Sequence, residues 1–229
     1  MGVCVFLQLI KYQCNIILTY RSHQLVNNRY AYTLNDQQVV AQILSGDINA
    51  YAQLVKRTEG LVTQMIFKMI NNPSDRKDLA QDIYIKVYKN LGDFKFQARL
   101  STWIGQITYN TCLHYLSKKR PVLLNAYLDA DADEQRSLER LQQKTQDIHS
   151  NETESIIFGK QASSILHSEI GRLPPMQKLI ITLFHAEELS YQEISEITGL
   201  PDGTIKSHLF RARKTLKTNI LTNYTREDL

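Results

Sequence analysis

SYQEISEITGLPDGTIKSHLFRARKTLK, Ser190 to Lys217, reads as two short helices joined by a glycine turn, the second with a basic outer face. Ser190 and Glu193 have capping-box spacing, so the hydroxyl and the carboxylate can each satisfy an orphan backbone donor at the start of a helix. Ile194 and Ile197 then point inward, Gly199 supplies the left-handed residue that ends the helix, and Pro201 keeps it from running on. After the turn, Ile205, Leu209, Ala212 and Leu216 fall within roughly 60° of one another at about 100° per residue and form a buried stripe. Ser207, Phe210, Arg211 and Lys214 project from the opposite side, flanked by Lys206, Arg213 and Lys217. A merely solvated basic face would account for the charge but has no need of Phe210. Cap, tight turn and an aromatic among cations together predict a helix-turn-helix whose second helix fits a major groove.

The rest of the composition is that of an ordinary globular protein, with 43% apolar and 22% charged residues over 229 positions, enough for one large or two small domains. A formal net charge of +4 suits contact with nucleic acid in patches better than wrapping throughout. Cys4, Cys14 and Cys112 lack the pairing and spacing of a disulfide framework or a zinc site, which points to the reducing cytoplasm. Residues 1–32 open with MGVCVFLQLIKYQCNIILTY, apolar in pieces but interrupted by Lys11 and short of the roughly 20 residues a membrane span needs. We read them as a disordered or loosely packed extension.

Helical periodicity starts near Asn35 and continues to about Arg120. Asn35 and Gln38 are placed to cap a first helix, and Ser45-Gly46-Asp47 to end it and cap the next. A second helix carries Leu54, Leu61, Val62, Met65, Ile66 and Met69 before Asn71-Asn72-Pro73. The third uses Leu79, Ile83, Val87 and Leu91, leaving Asp78, Gln81, Asp82, Lys86 and Lys89 toward water, and Gly92 stops it. A fourth starts at Ser101 or Thr102 and dissolves into Ser117-Lys118-Lys119-Arg120-Pro121. Residues 121–155 are acidic and polar and read as a linker. Periodicity returns over 156–221, leaving 222–229 as a tail. No alternating strand pattern appears. The expected fold is all-α: two small helical domains, 33–120 and 156–221, on a flexible linker, the second a helix-turn-helix.

A tether of about 35 residues spans roughly 30 Å as a coil and on the order of 100 Å when extended. Two duplex sites more than one turn, about 34 Å, apart are therefore within its reach only when it is drawn out, and a further body must hold both domains in place.

Three motifs bring a family into view: DLAQDIYIKVY (Asp78 to Tyr88), FKFQARLSTWIGQITYNTCLHYLSKKR (Phe94 to Arg120) and LPPMQKLIITLFHAEELSYQEISEITGLPDGTIKSHLFRARKTL (Leu173 to Leu216). In their order and spacing the chain resembles, from about Leu34 to Ile220, a bacterial sigma factor of the extracytoplasmic-function type, with sigma regions 2 and 4 only. The resemblance implies a promoter-specificity subunit that binds RNA polymerase core, with an anti-sigma factor as a further partner. It places Asp78, Gln81 and Asp82 on the polymerase clamp, and Phe94 and Asn110 around a flipped base of the minus-10 element. Lys206, Ser207, His208, Phe210 and Arg211 would read the minus-35 duplex, with Arg213 and Lys214 on phosphates. Strand capture without ATP needs platforms better than the base stack, worth about 1 to 3 kcal/mol per stacked base. Phe94, Phe96, Trp103 and Tyr109 supply aromatics for it, and Lys95, Arg99, Lys118, Lys119 and Arg120 supply phosphate partners. By periodicity Trp103 belongs rather to the core, holding the loop to the helix. His114, Ser117 and His208 depart from the residues that the family commonly carries.

Two other classes of function compete. An enzyme is disfavoured: Cys112 and His114 fall on different sides of a helix, and no phosphate-binding glycine loop, paired-carboxylate pocket or metal-ligand cluster stands out, so neither cofactor nor metal is expected. An ordinary helix-turn-helix activator or repressor would read two similar half-sites as a dimer, whereas this chain has two unlike DNA-facing segments.

Overall fold

A computed structural model describes residues 32–119 and 158–224, all helix, turn and coil with no strand among them. The extension, the linker and Arg120 lie outside the described residues. Helix α1 (Tyr32–Leu44) ends at Ser45-Gly46, where Gly46 takes a φ of +97°, and Asp47 caps α2 (Ile48–Met69) by accepting from the amides of Asn49 at 2.8 Å and Ala50 at 3.2 Å. Asn72 caps α3 (Pro73–Asn90) with Pro73 at the first helical position, where its missing N–H costs nothing. A 3-10 turn (Leu91–Asp93) and an extended loop lead into α4 (Leu100–Lys119).

The second group comprises α5 (Phe158–Arg172), α6 (Pro175–His185), α7 (Tyr191–Thr198) and α8 (Asp202–Asn223). The capping box at Ser190 and Glu193 forms in full, and Gly199 sits at φ +75° to close α7. The α8 stripe of Ile205, Leu209, Ala212 and Leu216 is buried against α6 and α7. Glu169 of α5, itself fully buried, is held by Arg172, by Asn219 at 3.0 Å and by the Tyr224 hydroxyl at 3.2 Å, which ties α5 to the end of α8.

Three boundaries shift from their sequence-based positions. Asn35 lies one turn inside α1, which begins at Tyr32, so it is not the N-cap. Helix α4 starts at Leu100, because Asp36 of α1 reaches across the chain to accept from its amide at 3.3 Å. Helix α8 runs through Asn223, two residues into what was read as a tail.

Helix α4 is buried on more than one face: Leu100, Ile104, Thr108 and Thr111 form one row, and Gly105, Tyr109, Cys112 and Leu116 another. Helices α2 and α3 cover it from within its own group, and α7 of the second group packs on it as well, while α6 packs on α2. The two groups of helices therefore share an apolar seam. At its centre Gly105 leaves the space that Ile197 fills: a Cβ there would stand 2.8 Å from the Ile197 Cδ1 and 3.0 Å from its Cγ1.

Candidate nucleic-acid interface

The loop between the 3-10 turn and α4 is organised by aromatic rings. Phe94 is buried at 7% exposure, its ring 4.7 Å from that of Phe96 and 5.2 Å from that of Trp103. Phe96 is the member that faces out, 44% exposed, and it does so from a left-handed backbone at φ 56°. The sequence reading counted Phe94 among the outward aromatics; in the structure it is buried, and the exposed ring of the pair is Phe96. Trp103 is half-buried against Phe94, in keeping with its periodicity. Asn110 lies exposed on α4, and Tyr109 beside it is buried, which pushes its phenol up to about 12.

The cations of this segment differ in freedom. Lys95 and Lys118 are exposed. Arg99 reaches across the seam to Glu193 at 3.1 Å. Lys119 pairs with Asp75 at 3.1 Å, and Tyr115 donates to the same carboxylate; these hydrogen bonds hold Asp75 below its ordinary range. Ser117 donates to its own helix at the carbonyl of His114, 2.8 Å away, so it offers a phosphate little.

On α8, Lys206, Phe210 and Lys214 are exposed, and Ser207 is partly so, with its hydroxyl donating to the carbonyl of Gly203 at 2.9 Å. Arg211 lies partly buried beside them. Two expectations for this face need correction. His208 is 4% exposed and belongs to the inner side, because it lies about 40° from Ala212 and about 60° from Ile205 on the helical wheel and widens the buried stripe. Arg213 turns back to the domain: its guanidinium lies 5.4 Å from the Phe184 ring centre and within 3.1 Å of the His185 Nε2. Burial first, and the neighbouring Arg213 charge second, push His185 down to about 4, so its neutral ring can accept from the guanidinium.

On α3, Asp78, Gln81 and Asp82 are exposed and share a face with Ile85, which is 51% exposed, while Leu79, Ile83 and Val87 are buried behind them. Ile85, Tyr84 and Tyr88 continue into an apolar groove lined also by Ile43, Ile48 and Tyr51. Sequence reading missed this apolar half, because Ile85 and Tyr88 look like core residues until α1 and α2 are seen to leave them uncovered. It also missed Asp36, whose role depends on a contact 64 positions away in the chain.

No group of three or more potential metal ligands occurs among the described residues, and no helix among them is long and apolar enough to cross a membrane. Cys112 is fully buried, and burial pushes its thiol up to about 12, far from a nucleophile's range.

Comparison with known proteins agrees with this layout. The family described as Sigma-70 region 2 matches residues 54–122, and that described as Sigma-70, region 4 matches residues 163–216. The chain is 30% identical over 189 residues to the ECF RNA polymerase sigma-E factor of Escherichia coli (strain K12), covering 82% of this chain and 95% of that protein. It is 29% identical over 178 residues to the ECF RNA polymerase sigma factor SigW of Bacillus subtilis (strain 168), covering 78% and 92%. Among solved structures, that of CnrH in complex with the cytosolic domain of CnrY superposes with a TM-score of 0.54 at 21% identity, over 82% of this chain and 99% of that one, a likeness of fold. The chain belongs to the ECF sigma factors, non-catalytic subunits that direct RNA polymerase to promoters through regions 2 and 4.

Proposed function

We propose that this sigma factor divides its work between two surfaces: the loop around Phe96 captures an unpaired base of the minus-10 element, and the outer face of α8 reads the minus-35 element as duplex. The observation that carries this reading is the unlikeness of the two surfaces. One presents an exposed aromatic on a buried aromatic buttress, which suits stacking. The other presents Lys206, Phe210, Arg211 and Lys214 along one side of a capped helix-turn-helix, which suits a groove. Lys95, Asn110 and Lys118 lie exposed in the minus-10 segment, available to phosphates and bases.

In this reading residues 33–120 form the region 2 domain and residues 156–221 the region 4 domain, with an extension (1–32), a linker (121–155) and a short tail around them. Polymerase core docks on the α3 face, where Asp78, Gln81 and Asp82 supply polar partners and Ile85 an apolar one. The protein acts in the cytoplasm, beside polymerase and chromosome. Support for a regulatory protein partner comes from CnrH, which was solved with the cytosolic domain of CnrY; here that partner would be an anti-sigma factor.

Run-off transcription with purified core on genomic fragments, followed by start-site mapping, tests the whole reading. The chain is expected to confer initiation at a defined set of promoters. An operator-binding regulator would instead bind its DNA without core and confer no new start sites.

A further inference from the structure

The minus-10 loop is held at its two ends rather than along its length. At its start the Phe94 amide donates to the carbonyl of Leu91 at 3.2 Å, and helix α1 packs on the 3-10 turn that carries Leu91. At its end the carbonyl of Arg99 accepts from the Trp103 amide at 3.1 Å and so opens α4. Among the described residues no backbone amide from Lys95 to Arg99 donates to a backbone carbonyl, so the course of the loop is set by where its ends are fixed. Arginine has no side-chain acceptor with which to cap a helix. The first amide of α4, that of Leu100, instead finds its acceptor in Asp36 at 3.3 Å, 64 positions earlier in the chain.

We propose that Asp36 is a positioning residue for strand capture: by capping α4 from across the chain it fixes the point where the loop becomes helix, and with it the direction in which Phe96 presents its ring. The inference rests on the reading of Phe96 as the strand-capturing platform. Three observations support it. First, Asp36 is 8% exposed and both of its carboxylate oxygens are engaged, Oδ2 by the Leu100 amide and Oδ1 by Arg57 of α2 at 3.2 Å. A carboxylate tied on both sides has one orientation, and its charge also meets the positive pole of α4. Second, the same helix braces the other end of the loop, since a Cβ at Gly92 of the 3-10 turn would lie 3.9 Å from the Leu44 Cδ2. Asp36 and Leu44 are eight residues apart on α1, about 12 Å, so one rigid rod sets the span between the two ends. Third, Phe96 holds a left-handed φ of 56°, which persists only where the surroundings impose it. The fixed ends supply that constraint, together with the Phe94 ring at 4.7 Å.

Trp103, the one tryptophan of the chain, lies 5.2 Å from Phe94 and reports on the loop in the free protein. Asp36→Ala should keep the parent's helicity by circular dichroism and, in holoenzyme, its closed-complex formation. It should make Trp103 emission more easily quenched by acrylamide and lower the permanganate reactivity of promoter thymines by about tenfold, the worth of one charged hydrogen bond. Two conservative variants separate position from charge, and they carry the test if Asp36→Ala does not fold. Asp36→Asn keeps an acceptor at the same distance from the backbone, whereas Asp36→Glu keeps the charge but moves it out by one methylene. Opening and Trp103 quenching should stay close to the parent in Asp36→Asn and be defective in Asp36→Glu. The reverse order would show that Asp36 acts through its charge alone and overturns the proposal. So does parent-like opening in Asp36→Ala, or a loss of opening matched by equal losses of helicity and closed complex, the mark of a merely structural role. Phe96→Gly in the same assay keeps the two levels apart. Parent-like opening there removes the strand-capture reading, whereas defective opening there with parent-like opening in Asp36→Glu removes only the role of Asp36.

Discussion

Replacing Phe96 with glycine should separate strand capture from stability. Phe96 holds a left-handed φ of 56°, a conformation that costs a residue with a Cβ about 1–2 kcal/mol and glycine almost nothing. Against that gain stands the loss of its buried ring surface, a little over half the side chain at 44% exposure, or roughly 1 kcal/mol. The contact with Phe94 at 4.7 Å adds about 0.5–1.5 kcal/mol. These terms nearly cancel, so Phe96→Gly should unfold in denaturant within about 1 kcal/mol of the parent. If the exposed ring stacks a captured base, however, its removal costs about 1–3 kcal/mol of open complex, or roughly 5- to 150-fold in occupancy. Permanganate reactivity of promoter thymines, read with holoenzyme, measures that occupancy. Phe96→Ala should lose as much opening and also some stability, since it keeps the costly φ without the ring. Undiminished permanganate reactivity in Phe96→Gly would refute the argument. So would a stability loss well beyond 2 kcal/mol, which would make Phe96 part of the fold rather than a platform. Phe94→Ala is the contrast, as removal of a buried aromatic costs about 3–5 kcal/mol and should lower both properties together.

Removing the N-cap hydroxyl in Ser190→Ala should cost about 1 kcal/mol, or a fall of roughly 2–4 °C in Tm for a chain of this size, read by calorimetry. Because His185 is held at about 4, below its ordinary value near 6.5, the unfolded chain binds more protons between those values. Stability should then be full above about pH 7 and fall as the pH drops through that window. The full shift corresponds to about 3 kcal/mol, reduced to about 1–2 kcal/mol because solvent reaches part of the ring; in denaturant melts His185→Gln should flatten this slope. On α8, Arg211→Ala should weaken minus-35 binding by about 1–3 kcal/mol and relax specificity at one position. Lys214→Ala should weaken all sequences alike and reduce the salt slope by about 1, both read by titration at several salt concentrations.

What the sequence made legible was whatever local physics decides. The Ser190–Glu193 cap, the Gly199 stop and the Ile205-Leu209-Ala212-Leu216 stripe are set within one or two helical turns, and each stands in the structure where its spacing put it. The same holds for Asp47 at the head of α2 and for the break at Asn71-Asn72-Pro73 that follows it. Residues whose surroundings come from elsewhere in the chain were misjudged. His208 reads as polar and hence outward, yet its place on the wheel beside Ala212 puts it on the buried side of α8, and tertiary packing overrode polarity. Arg213 reads as a phosphate ligand until Phe184 and His185 from α6 come up against it. Phe94 and Phe96 are two residues apart in one loop, and nothing local says which turns inward; the left-handed turn at Phe96 decides it.

The seam between the halves was illegible for a different reason. Gly105 in a helix ordinarily reads as a weak spot, costing about 1 kcal/mol relative to alanine. Here it leaves the space on α4 that Ile197 occupies, and no feature near it in sequence foretells a partner more than ninety residues on. Helix α4 carries apolar residues on more than one side, a pattern that fails to resolve into a single stripe because the helix is covered by α2 and α3 and by α7 as well. A helix buried on so many sides within a chain this small must either meet a partner or be covered by another part of the same chain. Tether length alone implied that a third body holds the two domains apart. The structure adds that the two groups of helices also pack directly on each other, so a third body that draws them apart must first offset the packing of this seam.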